Sequence, residues 1–344
     1  MSTLARPCFR TPTRNTSWRW TSTLPGLKIT RSTLAKQQWP ERPAPVVPVG
    51  AFEQEPPQGV GSARLAVLGD PIEHSKSPEL HIAAYRDRGL EWDYHRWRIP
   101  AGQLAANLDA RGHGWRGFSV TAPLKAEALA WADTASADAQ LTGAANTLVF
   151  ESLDSSSKKH AENTDIAGII GALAEVEVTA LDGPVDVLGA GGTASSAIAA
   201  AHRLGADRIR ILARRPEAAT EVAERFAAVP GLAIEVADLA TWQLASGTSL
   251  VIDTIPEGFA EVAGVDQALV PGVALFSAAY DPWPTPLADV WTAAGGKVTA
   301  GLQMLAHQAL VQVRLFSGYS AETPLPNEEF TFKAMRAAVG LPTA

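Results

Sequence analysis

Short clusters of lysine, aspartate, hydroxyl and amide side chains stand out along the first half of the sequence. They occupy residues 69–78, 117–125, 143–148 and 163–165. A protonated lysine such as Lys125 can stabilise a developing alkoxide and donate a proton to it, and Asp165 can hold that ammonium group in place. Hydroxyl and amide groups both donate and accept hydrogen bonds, which a polyhydroxylated ligand requires. These residue types predict proton transfer at an oxygen-bearing carbon.

A glycine-rich turn in the second half of the chain predicts a nucleotide site. Residues 185–194 read Val-Asp-Val-Leu-Gly-Ala-Gly-Gly-Thr-Ala, which is G-x-G-x-x-A after an apolar strand and before an Ala-rich helix. The first glycine permits a tight turn, the second lets the backbone approach a pyrophosphate, and Ala194 lets the helix pack closely. N–H groups at the helix start then face the phosphates. The residues expected at this dinucleotide site are Gly189, Ala190, Gly191, Gly192 and Thr193.

The end of the next predicted strand indicates which dinucleotide is bound. An NAD site needs an acid there for the ribose hydroxyl, whereas an NADP site needs cations for the 2′-phosphate. The strand ends in Ala213-Arg214-Arg215, and the nearest acid, Asp207, precedes the strand. A guanidinium binds phosphate through a fork of donors. We therefore expect NADP as the cofactor, with two solvated arginines as the alternative interpretation.

An α/β frame must position these residues. Hydrophobic patterning predicts helices at 77–88, 165–174 and 193–204, and strands at 65–68, 115–120, 146–150, 184–188, 208–213, 232–236, 250–253 and 273–276. Each cluster then follows a strand or opens a helix, where open α/β sheets bind ligands. The polar segment 152–160 is predicted to be a surface loop.

The length of 344 residues exceeds what one hydrophobic core usually supports, which predicts two α/β domains with a cleft between them. We expect an N-terminal substrate-binding domain at 63–164, completed by C-terminal helices at about 302–340, and a C-terminal Rossmann-type, NADP-binding domain at 165–301. Residues 1–62 are rich in Ser, Thr, Arg and Pro. We interpret them as a disordered extension, a start assigned too far upstream, or a targeting segment.

Composition excludes several classes of protein. The chain is 46% hydrophobic and 19% charged, with no apolar run of about 18 residues, so a membrane protein is not expected. The first 62 residues hold eight basic and three acidic side chains, so the rest carries a net charge of −12. This acidic body has no basic stripe for nucleic acid. A single cysteine and the histidine spacing indicate no metal site. We expect a cytoplasmic monomer or homodimer.

The ordered clusters resemble the shikimate dehydrogenase (shikimate 5-dehydrogenase) family, and the resemblance extends over nearly all of residues 64–318. It continues through Tyr280-Asp281-Pro282-Trp283-Pro284-Thr285-Pro286-Leu287 and Gly301-Leu302-Gln303-Met304-Leu305-Ala306-His307-Gln308-Ala309. Ser119 and the Ala-rich body are similar to the actinobacterial form. The resemblance implies NADP-dependent, reversible reduction of 3-dehydroshikimate to shikimate, a step of aromatic amino-acid (chorismate) biosynthesis.

The resemblance also implies roles for individual residues. Ser75 and Ser77 would bind the substrate carboxylate, and Tyr280 would close the site. The residues implied around the ring hydroxyls are Thr121, Lys125, Asn146, Asp165 and Gln308, of which Lys125 and Asp165 would be catalytic. The cofactor site would add Thr254 and Gly301 to the glycine turn and to Ala213, Arg214 and Arg215.

Three positions depart from the family pattern. Ser119 replaces an Asn, and Ala213 replaces the Asn before the phosphate-binding arginine. The third departure is Asp253-Thr254-Ile255-Pro256, which replaces the more common Asn-Thr-Thr-Ser. The change at Ala213 weakens one cofactor hydrogen bond and leaves NAD as an alternative, although Arg214 keeps its place.

Other interpretations predict different residues. An NAD-dependent quinate/shikimate dehydrogenase would carry an acid where Arg214 stands. A non-catalytic, cofactor-sensing regulator of the same fold would not need Lys125 and Asp165. Ser77 and Asn163 could also serve only as helix caps. A short-chain dehydrogenase is excluded, since no tyrosine has a lysine four residues later.

Overall fold

Strands and helices alternate along most of residues 62–343, the residues that the computed structural model describes. Our predictions for the first 61 residues lie outside this range. The strands are β1 Ala63–Gly69, β2 Trp92–Arg98, β3 Trp115–Val120, β4 Thr134–Ala135, β5 Thr147–Phe150, β6 Lys159–Glu162, β7 Val185–Leu188, β8 Arg208–Ala213, β9 Ala233–Asp238, β10 Leu250–Asp253, β11 Ala274–Ser277 and β12 Val298–Ala300. The helices are α1 Ser77–Asp87, α2 Leu104–Asp109, α3 Lys125–Trp131, α4 Ala137–Thr142, α5 Asp165–Ala174, α6 Gly192–Arg203, α7 Pro216–Arg225, α8 Pro286–Ala293, α9 Gly301–Phe316 and α10 Glu328–Ala338.

The first sheet has the strand order β2-β1-β3-β5-β6-β4. Strand β5 runs against its neighbours, pairing antiparallel with both β3 and β6. The chain moves from β1 outward to β2 and then returns to β3 on the other side of β1, so the order reverses between β1 and β3. Ligands bind beyond the carboxyl ends of strands at such a reversal. Leu68 pairs with Val120 there.

The second sheet is entirely parallel, with the order β12-β11-β10-β7-β8-β9. Its order reverses between β7 and β10, where Leu188 pairs with Asp253. This is the doubly wound arrangement in which a dinucleotide lies across the carboxyl ends of the two central strands. The α/β class and the two-sheet organisation predicted from the sequence are therefore confirmed.

Helices cover both faces of each sheet and place the hydrophobic cores between the layers. One face of the first sheet packs against α1, α9 and α10, through Leu80, Val313 and Met335 among others. Each fully buried side chain of this kind contributes roughly 1.5–3 kcal/mol. The C-terminal helices α9 and α10 therefore pack on the first sheet, although they follow the second sheet in sequence.

The structure corrects one predicted boundary. The polar segment 152–160 is a loop only as far as Lys158, because Lys159 and His160 begin β6 and pair with Phe150 and Val149. The other predicted strands and helices form within one or two residues of their expected limits.

Candidate active site

A cavity of about 230 Å³ opens beyond the carboxyl ends of β1 and β3. Its walls include all the residues expected around the substrate, namely Ser75, Ser77, Thr121, Lys125, Asn146, Asp165, Tyr280 and Gln308. The most distant of these side chains are more than 200 residues apart in the chain, and they come from elements that follow strands of both sheets. The volume suits a small polar molecule rather than a whole dinucleotide.

Lys125 and Asp165 form an ion pair at the inner wall of this cavity. Lys125 is the first residue of α3 and Asp165 is the first residue of α5. The distance between Lys125 Nζ and Asp165 Oδ2 is 2.5 Å, and the two side chains are only 13% and 5% exposed. An acid in the first turn of a helix is stabilised by the helix dipole. The ammonium group also lies 3.4 Å from Thr193 Oγ1.

The other carboxylate oxygen of Asp165 accepts a hydrogen bond from the amide of Asn146, which in turn contacts the amide of Gln308. Asn146 Nδ2 donates to Asp165 Oδ1 at 2.8 Å and to Gln308 Oε1 at 3.1 Å. Asn146 Oδ1 accepts from the backbone N–H of Thr164 at 2.8 Å. Because Asn146 and Gln308 are both nearly fully buried, their orientations are set by these partners.

The loop between β1 and α1 forms the opposite wall. Ser75 Oγ accepts from the backbone N–H of Ser77 at 3.3 Å, and Arg96 donates to the Ser75 carbonyl oxygen at 2.6 Å. Burial raises the pKa of Tyr280, with Asp281 adding to the effect, so this phenol stays protonated and can donate a hydrogen bond. Hydroxyl groups on a loop that is held in place by Arg96 can donate hydrogen bonds to the carboxylate of a ligand.

The helix-cap interpretations have different outcomes for the two residues. The cap position of α1 is Lys76, so Ser77 is the first helical residue and not the cap. Asn163 Oδ1 does accept from the N–H of Asp165 at 3.0 Å at the start of α5. Asn163 therefore supports the helix start, which leaves the Asp165 carboxylate directed at Lys125.

A second cavity of about 310 Å³ lies along the glycine turn at the end of β7. Its walls include Gly189, Ala190, Gly191, Gly192, Thr193, Ala213, Arg214, Arg215 and Thr254. Gly301, which was also expected here, lines the first cavity instead. Thr193 lines both cavities, so they adjoin at the start of α6.

The glycine turn is shaped for close approach of a ligand. Gly189 has φ +114°, and a Cβ there would lie 2.3 Å from Thr254 Oγ1. A Cβ at Gly192 would lie 3.3 Å from Ala144 Cβ. These two glycines let the turn pack closely on Thr254 and Ala144 at the N-terminus of α6, where the helix N–H groups can face a pyrophosphate, so the residues present fit a dinucleotide.

The loop after β10 is anchored by Asp253, one of the three departures from the family pattern. Its carboxylate accepts from the N–H groups of Ile255 and Phe259 and from Ser277 Oγ, at 2.8–3.1 Å. Burial raises the pKa of Asp253 above its ordinary value, and these hydrogen bonds oppose the increase because they favour the charged carboxylate. Thr254 Oγ1 in turn donates to the Leu188 carbonyl oxygen at 2.8 Å. An acid at position 253 thus holds the loop beside the glycine turn.

The structure adds residues that the sequence analysis left without a role. Ser119 and Gln312 line the first cavity, and Thr147 Oγ1 donates to Asn146 Oδ1. The signal for Gln312 was its spacing, since it stands one helical turn after Gln308 and thus on the same face of α9.

Two negative findings apply to the described residues. No helix between residues 62 and 343 is long and apolar enough to cross a membrane. Over the same range, no group of three or more His, Cys, Asp or Glu side chains is arranged to hold a metal ion.

Comparison with known proteins decides the family. A sequence model described as the shikimate dehydrogenase substrate-binding domain matches residues 67–148. A shikimate dehydrogenase (NADP(+)) from Caulobacter vibrioides is 35% identical over 278 residues, which cover 78% of this chain and 94% of that protein. The chain belongs to the shikimate dehydrogenase family. It is thus a member of a family of NADP-dependent oxidoreductases, and the recognition made from its motifs is confirmed.

Solved shikimate dehydrogenases share the two-domain Rossmann-like fold. The enzyme from Mycobacterium tuberculosis is 38% identical with a TM-score of 0.66, covering 81% of this chain and 99% of that one. Shikimate 5-dehydrogenase from Thermus thermophilus, solved in complex with NADP(H) and shikimate, is 32% identical with a TM-score of 0.65. The match covers 80% of this chain and 99% of the Thermus thermophilus chain.

Proposed function

We propose that this chain catalyses the NADP-dependent, reversible reduction of 3-dehydroshikimate to shikimate in aromatic amino-acid biosynthesis. The observation that carries the proposal is the Lys125–Asp165 pair, which lies in a cavity of hydroxyl and amide groups adjoining the glycine turn at Thr193. The family relationship supports it, as does the neighbour from Thermus thermophilus, which binds both NADP(H) and shikimate.

The substrate carboxylate is bound by the hydroxyls of Ser75 and Ser77, with Tyr280 closing the site. The ring hydroxyls are bound by Thr121, Asn146 and Gln308 together with the catalytic pair. A buried amide left without its hydrogen-bond partner costs about 1–3 kcal/mol, so this site rejects analogues that lack a hydroxyl.

The cofactor is held along the second cavity. N–H groups at the start of α6 would hold its pyrophosphate, and Arg214, exposed directly after β8, would bind the 2′-phosphate. When bound, NADPH supplies the hydride. Ala213 lines this cavity with a methyl group where the family has an amide, so Arg214 carries the preference for NADP over NAD.

Lys125 supplies the proton. Hydride addition to the substrate carbonyl produces an alkoxide, and an ammonium group within hydrogen-bond reach stabilises that charge and then donates its proton. Asp165 keeps Lys125 Nζ at the cavity wall and accepts from a neighbouring hydroxyl of the substrate. In the direction of shikimate oxidation the amine must instead be neutral, so oxidation accelerates as the pH rises.

The proposal also covers the domain boundaries, the cellular location and the oligomeric state of the chain. Residues 63–164 with the helices at about 302–340 form the substrate domain, and residues 165–301 form the NADP domain. The packing of α9 and α10 on the first sheet supports this division. We propose a cytoplasmic monomer or homodimer whose ligands are small molecules and not nucleic acid.

Product identification tests the proposal. Purified protein is incubated with shikimate and NADP⁺, and the mixture is analysed by mass spectrometry and by absorbance of the reduced nicotinamide. The expected result is a product two hydrogens lighter than shikimate, formed in equal amount to NADPH. Absence of both products, at any pH at which the protein is folded, would refute the proposal.

A further inference from the structure

Gln312 lies between the substrate cavity and a buried polar group of α1. Its side chain is 1% exposed and lines the cavity floor. Gln312 Nε2 donates to the Asn146 carbonyl oxygen at 3.1 Å and to Thr147 Oγ1 at 2.9 Å. Gln312 Oε1 accepts from Ser119 Oγ at 2.7 Å and lies 3.1 Å from His81 Nε2. Every hydrogen-bonding position of this amide is therefore occupied.

The partners determine which way each hydrogen points. A backbone carbonyl only accepts, so the contact with Asn146 O requires the amide nitrogen of Gln312 on that side and its oxygen toward His81. His81 is fully buried, and burial lowers its pKa to about 3, which leaves a neutral imidazole. Its Nε2 then carries the hydrogen toward Gln312, and its Nδ1 accepts from Tyr85 OH at 3.0 Å.

The hydrogen bonds continue in the same direction from Gln312 to the Lys125–Asp165 pair. Thr147 Oγ1 receives a hydrogen from Gln312, so its own hydrogen goes to Asn146 Oδ1 at 2.9 Å. Asn146 then presents its NH₂ group to Asp165 Oδ1. The hydrogen bonds run one way through Tyr85, His81, Gln312, Thr147, Asn146 and Asp165, and every donor points toward the carboxylate.

We propose that Gln312 and Thr147 are positioning residues that orient Asn146 and, through it, the Lys125–Asp165 pair. Aligned donors polarise one another and favour the negative form of the carboxylate at the end of the chain. The backbone N–H of Thr164 also donates to Asn146 Oδ1. The hydrogen bond from Thr147 therefore adds to an orientation of the Asn146 amide that this backbone contact already favours. This inference rests on the proposed function, because the pair must act in proton transfer for its alignment to matter.

The decisive comparison is Thr147→Val against Thr147→Ser. Valine has the shape of threonine and suits strand β5, but it interrupts the chain, whereas serine keeps the hydroxyl. We expect Thr147→Val to lower kcat/KM for shikimate about tenfold and leave the KM for NADP⁺ unchanged, since only the substrate cavity loses a hydrogen bond. Thr147→Ser should restore most of the loss.

The pH profile separates positioning from general damage. The titratable side chains lining the cavity are His74, Lys125, Asp165 and Tyr280. Thr147→Val removes a hydrogen bond from the network that aligns the Lys125–Asp165 pair, so the acidic limb of the kcat profile should move relative to that of the wild type and return in Thr147→Ser. A role limited to folding would lower the yield or melting temperature without moving this limb.

Gln312→Met provides a second, independent interruption of the chain. It keeps the length of the side chain without its polar atoms, and the matched control is Gln140→Met on the exposed surface of α4. Gln312→Met should reproduce the loss in kcat/KM and the shifted limb, and Gln140→Met should match the wild type.

The outcomes are distinguishable from those that test the function itself. If the wild type does not reduce NADP⁺ with shikimate, both the proposed function and this inference fail. If the wild type turns over while Thr147→Val and Gln312→Met keep its kcat/KM and pH profile, only the positioning role is overturned. A loss seen in both variants, rescued by Thr147→Ser and absent in Gln140→Met, would establish it.

Discussion

Lys125 is a largely buried cation, and Asp165 offsets much of the cost of that burial. Taking either charge out of water alone would cost several kcal/mol, but the 2.5 Å contact and the hydrogen bond from Asn146 compensate for much of the cost. A pair of this kind contributes little net stability and much positional order. It places the Lys125 ammonium group at the wall of a cavity that adjoins the glycine turn at Thr193.

Replacing the ammonium group tests the role of Lys125. We predict that Lys125→Met lowers kcat by roughly 100-fold or more with little change in the KM for shikimate, the size expected when general acid–base catalysis is lost. Steady-state kinetics of shikimate oxidation from about pH 6 to pH 10 measures both effects. A variant with near-normal kcat and an unchanged pH profile would show that Lys125 only binds, and the donor would then be sought at Tyr280.

We predict that Arg214 determines the choice between NADP and NAD. Only NADP carries the 2′-phosphate, so Arg214→Ala should raise the KM for NADP⁺ by about tenfold or more and leave the KM for NAD⁺ nearly unchanged. The control is Arg208→Ala, at the exposed opposite end of β8, which should change neither constant. Equal effects of Arg214→Ala on the two cofactors would rule out a phosphate contact.

The turn between β7 and α6 is the element most sensitive to a single added carbon. Gly189→Ala introduces a side chain at φ +114° and within 2.3 Å of Thr254 Oγ1, so the turn must shift. We expect a KM for NADP⁺ raised about tenfold, since the backbone no longer meets the pyrophosphate closely. Gly272→Ala is the control, because a Cβ there meets no atom within 4 Å. Unchanged cofactor binding in Gly189→Ala would contradict this account of the turn.

The elements with the simplest patterns were predictable from sequence. The strand Trp115–Val120 and the helix Asp165–Ala174 form at their predicted limits because their apolar residues are buried. Strand β2 was missed, since Trp92–Arg98 places exposed Arg96 and Arg98 among its aromatic residues at the edge of a sheet. Helix α3 was missed because its residues follow a motif that resembles a loop.

Candidate site residues that belong to a sequence motif could be predicted. Those brought together only by the packing of helices could not. Lys125, Asn146 and Asp165 stand in recognisable clusters, and the structure brings them together. Gln312 and His81 meet only because α1 and α9 pack on the same face of the first sheet. Sequence spacing places Gln312 beside Gln308 but carries no information on the partner across the interface.

For the molecule as a whole, His81 makes stability depend on pH. Its folded pKa of about 3 lies below the ordinary value of 6.5, so between these values the unfolded chain binds a proton that the folded protein does not. The stabilisation is therefore complete above pH 6.5 and is lost as the pH falls toward 3, by up to about 1.4 kcal/mol per pH unit.

Urea unfolding of the wild type and of His81→Phe measures this dependence. Phenylalanine keeps a flat ring against Tyr94 but cannot take up a proton. The free energy of unfolding of the wild type should fall more steeply below pH 6.5 than that of the variant, whereas His113→Phe at an exposed site should keep the wild-type slope. Parallel slopes for the wild type and His81→Phe would show that His81 titrates normally.

The two sheets together place the Lys125–Asp165 ion pair beside the glycine turn. The reversal at β1 and β3 forms the small cavity, the reversal at β7 and β10 forms the longer one, and Thr193 belongs to both. Neither sheet alone supplies both the hydroxyl-binding groups and the glycine turn. Function in this account belongs to the assembled pair of sheets.

Initial rates with two substrates and two cofactors test the central claim most directly. The purified full chain is assayed with shikimate or quinate, each with NADP⁺ or NAD⁺, by the absorbance of the reduced nicotinamide. We predict that kcat/KM is highest for shikimate with NADP⁺ and at least about tenfold lower when either component is exchanged. Preference for quinate with NAD⁺, or no turnover with any combination, would contradict the account.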